Sequence, residues 1–421
     1  MSDFEIGMRT AALRDGSIAL SKVLSEIPDH KDISVICEHC SSVMLILGRR
    51  EKEILSLLGE GSVKRGYFEC TNQDCKSHKF PKDELLDISK TSFSPGVRRL
   101  MAKVGCDDAF QKGSLDIKEF SGIHVDAKDI ERISENIGRQ IQHWDTKDQE
   151  EILQKNPPAM PNKEIPIIYI ECDGTGVPAT TKEVKGRKGK QSDGTSKTRE
   201  AKLGCVFTQT SLDKEGDPVR DNNSTTYIGA IETSEEFGKR LCAEAIKRGL
   251  WQADTVAFIG DGAKWIWNLA TEHFFGAIQI VDLYHAKEHL HKLIRLFFND
   301  EQKQIEFYEK WVQLLENGEI ETLVEEATVL NLKNGEIKNQ IDTEINYFNE
   351  NAKRMRYSSF KEKGLFVGSG VIEAGCKTVI GKRLKQSGMR WSVGGANSII
   401  GLRCAVYSNK FDDYWKSRVA I

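Results

Sequence analysis

Long apolar runs are missing from these 421 residues, and so is a surplus of charge of either sign. No stretch approaches the roughly 18 consecutive apolar residues that a bilayer-crossing helix needs, so a membrane span is not expected. The 60 basic and 63 acidic residues leave a net charge of −3, which provides no general attraction for polyanions. Contacts to nucleic acid would have to come from local patches. A dense disulfide framework is also missing: the ten cysteines are scattered, and in a chain this long close pairs point to metal. Met1-Ser2-Asp3-Phe4-Glu5 is not a basic start followed by an apolar core, so no secretory signal is expected and a cytoplasmic location is. What remains is a globular composition, 39% hydrophobic and 29% charged, with length for two or three domains.

Three acidic residues stand in distinctive settings. Asp173 lies in Glu-Cys-Asp-Gly-Thr-Gly-Val-Pro, just after the apolar run Ile167 to Ile170. Asp261 lies in Ile-Gly-Asp-Gly-Ala-Lys-Trp, just after Val256 to Ile259. Glu373 lies in Gly-Ser-Gly-Val-Ile-Glu-Ala-Gly-Cys-Lys, at the start of a helical pattern. Two aspartates at strand ends and a glutamate on a late helix predict a carboxylate cluster assembled from distant sequence. Oxygen donors of this kind suit hard cations such as Mg²⁺, which pairs carboxylates with substrate phosphates. The bland alternatives are Asp-Gly turns for the aspartates and a first-turn capping role for Glu373.

The chain divides as follows. Residues 1–30 hold an N-terminal helix, with Ala11, Leu13, Ile18, Leu20, Val23, Leu24 and Ile27 at amphipathic spacing over 9–27, interrupted at Gly16. Residues 31–90 read as a zinc ribbon: Cys37-x2-Cys40 and Cys70-x4-Cys75 flank strand-like runs, and four thiolates suit tetrahedral Zn²⁺. The wide second pair leaves His39 and His78 as alternative ligands. Residues 91–155 read as helical. Ser94-Pro95 is a start signal, Asp126 is a candidate N-cap, and Ile130, Ile133, Ile137 and Ile141 repeat at helical spacing. A helix-turn-helix contacting DNA and a plain helical bundle both fit this region.

Asn156-Pro157-Pro158-Ala159-Met160-Pro161 predicts a linker. Over 162–299 strand patterns fall at 167–172, 203–208, 225–231, 255–259 and 277–281, with helices at 234–249, 263–274 and 285–298. Three strands followed by alternating helix and strand is the element order of an α/β, RNase H-like mixed sheet with helices on both faces. Residues 300–360 predict an all-α insertion, and 361–421 complete the core. The Lys- and Gly-rich stretch 182–202 reads as a basic flexible loop. Asp282, Tyr284, His285 and His289 form a second constellation, in which the two histidines share a helical face. Trp265 and Trp267 point to opposite sides of one helix, with at least one in the core.

Taken together, the motifs at 173–178, 260–267, 282–289, 368–373 and 389–392 occur in an order that resembles the bacterial DDE transposases of the ISKra insertion-sequence family. The wide second cysteine pair departs from the family's usual pattern. The resemblance implies a magnesium- or manganese-dependent DNA strand cleavage and transfer enzyme acting at insertion-sequence terminal repeats and on target DNA. It further implies homo-oligomers and a bacterial, nucleoid-associated location. Asp173 would bridge two ions, Asp261 and Glu373 would hold one each, and Asp282, His285 and His289 would support the site. Lys377, Arg383, Lys385, Arg390 and Trp391 would contact DNA, with ordinary core packing as the alternative for Trp391. Two rival readings remain: a nuclease on the same fold that cuts without joining, and a catalytically silent, transposase-derived DNA-binding protein.

Overall fold

The computed structural model describes residues 1–30, 34–154, 164–189, 191–331 and 337–418. The predicted linker at 156–161 lies outside them. The chain separates into two compact units, 1–137 with 415–421, and 138–414. No helix among the described residues is long and apolar enough to cross a membrane.

In the first unit, helix α1 (Ser2–Glu26) runs unbroken through Gly16. The predicted apolar seam does not set its orientation, since Ile18 is 62% and Val23 57% exposed. Serines hold it instead. Ser17, Ser21 and Ser25 hydrogen-bond in turn to Glu60 O, Ser62 N and Lys64 N of the long hairpin β1 (Val43–Ser56)–β2 (Gly59–Cys70). Four helical residues rise about 6 Å and two strand residues about 6.8 Å, so the two ladders stay in step. Leu24 adds apolar contact against Ile54, Val63 and Ile88.

Three helices follow: α2 (Pro95–Asp107), α3 (Phe110–Ser121) and α4 (Ala127–Gln154). Ser94 caps α2, its hydroxyl accepting from Val97 N, with Pro95 at the first helical position. Ile130, Ile133, Ile137 and Ile141 of α4 are all buried. Lys128 and Arg132, the basic side chains of its first turns, are paired with Glu131 and Asp129. The boundary between the units falls within α4.

The second unit is mixed α/β. Its five-stranded sheet has the order β7-β6-β3-β4-β5, formed by β3 (Ile165–Pro178), β4 (Thr198–Gln209), β5 (Thr226–Ala230), β6 (Ala253–Gly260) and β7 (Ile278–Val281). The β3-β4-β5 pairs are antiparallel, while β6 and β7 run parallel to β3. Helices α5 (Ser234–Lys247), α6 (Lys264–His273) and α7 (Leu283–Phe297) alternate with the later strands. A helical stretch follows, with α8 (Glu301–Asn317), α9 (Ile320–Asn331) and α10 (Lys338–Asn351). The short α11 (Gly370–Gly375) and the buried α12 (Val393–Tyr407) complete the unit. The basic stretch 182–202 is not one loop. Thr181–Val184 is a helical turn, Lys188 bridges Thr195, and strand β4 begins at Thr198.

Candidate active site and metal centres

Strand register brings three aspartates into line. On adjacent parallel strands Ile259 pairs with Glu171 and Gly260 with Val281. Asp261 therefore follows the end of β6 opposite Asp173, and Asp282 follows β7 on the other side. Neighbouring strands lie about 4.8 Å apart, so the row is tight. The expected strand end at Asp173 is corrected: β3 runs on to Pro178, paired with β4. The parallel strands β6 and β7 do end at the row, and the carboxyl ends of parallel strands are where open α/β sheets bind ligands. Burial pushes the Asp173 carboxyl above its usual range; Gly174 N–H and the Cys376 thiol oppose the rise, Asp261 adds to it, and His285 opposes it.

Glu373 joins this row through two buried carboxylates. Glu171 Oε2 accepts from Ile372 N at 2.8 Å, and Asp282 Oδ2 accepts from Ser369 N. Both bonds grip the N-terminal turn of α11, where N–H groups lack helical partners. Asp282 is also the N-cap of α7, its Oδ1 accepting from His285 N at 2.7 Å. Glu171 is wholly buried and pushed up to about 8, first by burial, with Asp282 adding and Ile372 N–H opposing.

Asp173 and Glu373 line one cavity of 370 Å³ together with Thr175, Cys376, Lys377, Gly381 and Lys385. A separate grouping places Asp282, His285 and Glu373 with ligating atoms within 4.8 Å of one another; Asp173 and Asp261 are not in it. Asp282, His285 and Glu373 thus converge, Asp173 shares a cavity with Glu373, and Asp261 stands beside Asp173 on the neighbouring strand. That oxygen-rich set fits a hard divalent cation such as Mg²⁺ or Mn²⁺. Behind Glu373 the helix widens into a π-helical turn at Cys376–Gly381, a distortion frequent at functional sites.

The helical stretch after α7 supports the Asp261 loop. Asp261 Oδ1 accepts from Ala263 N at 2.9 Å, and Asp261 O accepts from Tyr347 Oη at 3.1 Å. Gly262 has φ +103°, and a Cβ there would come within 2.6 Å of the Tyr347 ring, so only glycine fits. His289 stacks on Tyr347 at 3.7 Å between centroids, and its Nδ1 lies 2.5 Å from buried Glu344. The histidines that share a helical face therefore have different surroundings. His285 belongs to the carboxylate group, whereas His289 braces Tyr347.

Among the predicted DNA contacts, Lys377, Lys385 and Arg390 are exposed. Lys377 lies 3.8 Å from Glu373, and Lys385 donates to Thr175 Oγ1 at 2.5 Å. Arg383 is buried, a correction to its place among the DNA contacts, and Trp391 is buried as its core-packing alternative has it. Trp391 Nε1 donates to Leu384 O, its backbone bridges Ala179 just past the end of β3, and the Arg383 guanidinium lies 5.1 Å from its ring. They build the floor from which Lys385 and Arg390 project. Trp267 is buried, and Trp265 packs edge-on against Phe237.

The second candidate centre is in the first unit. Cys37, Cys40, Cys70 and Cys75 converge with sulfurs within 4.8 Å, and His39 and His78 are not in the group. Cys37–Cys75 is 3.6 Å and Cys40–Cys70 3.3 Å. Tetrahedral zinc with 2.3 Å bonds places its sulfurs about 3.8 Å apart, close to this spacing. The two extra residues of Cys70-x4-Cys75 are absorbed in a turn closed by Cys75 N to Asn72 O. Val35, Met44 and Phe68 form the small core around it.

Sequence reading missed Glu171, Cys376, Glu344 and Tyr347. Glu171 carried a signal: two residues before Asp173 on a strand, it shares that residue's face. The others arrive by tertiary packing, and no local pattern marks them.

No protein-family model and no curated protein matches this chain. A solved structure, the Drosophila P element transposase strand transfer complex, is similar over 80% of this chain and 83% of that one, at 10% identity and a TM-score of 0.26. A likeness that faint carries no argument about fold or chemistry.

Proposed function

We propose that this chain is a DNA transposase of the DDE type with an RNase H-like core, akin to the ISKra family. On this reading it cuts and joins DNA at insertion-sequence ends. The observation that carries it is the row of Asp173, within β3, and Asp261, just past the end of β6, with Glu373 beside Asp173 in one cavity. Asp173, Asp261 and Glu373 would hold the cations, with Asp282 and His285 at hand. When bound, paired divalent ions stabilise the attacking and leaving oxygens of an in-line phosphoryl transfer. Glu171 and Asp282 act as positioning residues, fixing the helix that presents Glu373. Lys385 and Lys377 border the cavity and would meet the phosphates next to the scissile bond. The Cys₄ cluster would hold a structural zinc, and the helices of 91–155 are candidates for terminal-repeat recognition by homo-oligomers.

The test is cleavage of supercoiled and terminal-repeat DNA in Mg²⁺, with product 3′ ends followed into target DNA. Joined products lost in Asp173→Asn support the reading. Cleavage without joining transfers the site to a nuclease. Binding without cleavage in Mg²⁺ leaves the DNA-binding descendant.

A further inference from the structure

A larger cavity, 850 Å³, lies next to the carboxylate cavity on the same strand. Its floor is Pro178 and Ala179, the end of β3 that carries Asp173. Five strand residues separate Asp173 from Pro178, or about 17 Å. The cavity is closed on one side by the arm formed by 181–189 and 191–198 and on the other by 386–390, the segment that continues from Lys385.

The lining has two characters. Val184, Pro178 and Met389 give it apolar walls, while Lys185, Arg187, Lys188, Lys197 and Arg390 give it five cations and no carboxylate lines it. None of the five cations has an ion pair among the described residues. Asp193, near Lys197, is occupied by Thr195 N and Oγ1. The arm is a built structure. Gly189 N donates to Gly194 O and Ser196 N to Arg187 O across its legs, and Glu183 ties it to Val393 N and Arg199.

Apolar walls ringed by cations suit a base with phosphates on either side, the cations meeting the phosphates. The volume is within the range of small-ligand pockets. A paired base is stacked on its neighbours and cannot enter, so the occupant must be unpaired. We propose that this cavity, resting on the DNA reading above, takes an unpaired nucleotide of the strand being cut, a short distance from the scissile phosphate. Substrates with a frayed or single-stranded end next to the cut would then be favoured over blunt duplex.

The test uses the full chain with Ca²⁺ replacing Mg²⁺, and fluorescence anisotropy with a labelled single-stranded oligonucleotide and the corresponding duplex. Arg187→Gln/Lys188→Gln/Lys197→Gln should lose about tenfold on the single strand, with the salt slope lowered by about 2, the value for three lost phosphate contacts at 0.7 each. Duplex affinity should change much less. As a second measurement independent of the variant's folding, 5-iodouracil placed in a single-stranded overhang should photocrosslink the wild-type chain within 178–198 or 386–390. Crosslinks confined to other peptides, equal losses on both DNAs, or stronger competition by RNA than by DNA would overturn the proposal. Mg²⁺-dependent cleavage of duplex, abolished by Asp173→Asn, tests the parent reading separately. If that cleavage stands while the crosslinks fall elsewhere, only the cavity proposal fails. A chain that binds neither DNA overturns both.

Discussion

The two candidate metal centres are built on opposite plans. The thiolate centre draws four residues from one 39-residue segment, and its sulfurs are already at zinc-like separations. The carboxylate centre draws on residues 173, 261, 282, 285 and 373, and no short segment contains it. Its acids also have other duties: Asp282 caps a helix and clamps Ser369, and Asp261 closes a turn on Ala263. A closed thiolate knuckle supplies folding energy, whereas an open carboxylate edge leaves positions for substrate oxygens.

The comparison predicts different losses. The largest belongs to the thiolates. Cys37→Ser should take bound zinc from one per chain to none and unfold the knuckle, since structural zinc contributes about 10–16 kcal/mol. Elemental analysis and proteolysis near residue 70 read this out, and unchanged zinc would dismiss the ribbon. Next, Asp173→Asn, Asp261→Asn or Glu373→Gln should lower Mg²⁺-dependent cleavage about a thousandfold, several kcal/mol of barrier, with little change in melting temperature. Retained cleavage in any one removes that residue from the site.

A structural carboxylate in the same unit sharpens the contrast. Glu244 is buried and accepts from Lys410 Nζ at 2.6 Å. Burial alone would raise its carboxyl, but the Lys410 charge and hydrogen bond overcome this and hold it below the usual 4.5. Its contribution is therefore present above pH 4.5 and lost as pH falls through the folded value. Glu244→Gln should cost about 3 kcal/mol in urea unfolding near neutral pH and flatten that acid limb, because it strands Lys410. Cleavage per folded molecule should hold, the reverse of Asp173→Asn. Smallest, Tyr347→Phe removes the hydroxyl on Asp261 O and should cost about 1 kcal/mol. A cleavage loss exceeding its stability loss would give the helical stretch a part in aligning Asp261.

Sequence alone revealed much of the second unit because β3 and β6 hold continuous apolar runs followed by Asp-Gly. Asp173 and Asp261 stood out for that reason, and Ser94-Pro95 marked its helix by capping chemistry. The α1 orientation was not legible. Its serine ladder matters only opposite β2, and hydrophobic spacing pointed elsewhere. Glu171 was concealed inside an apolar run, where burial rather than pattern gives it its character. Arg383 looked like a surface group, and Trp391 had two readings, because nothing local shows that Trp391 pairs with Ala179, over 200 residues earlier. Tyr347 depends on packing between segments 86 residues apart.

The clamp on α11 also bears on how the molecule assembles. Ile372 N reaches a carboxylate 201 residues earlier, and Ser369 N one 87 residues earlier. Closing loops of that length is slow compared with forming local helix. In refolding from urea, far-UV circular dichroism should recover well before the amides of Ser369 and Ile372 become protected from exchange. The order of those two clocks would show whether this chain passes through a stage that has its sheet but not yet its carboxylate row.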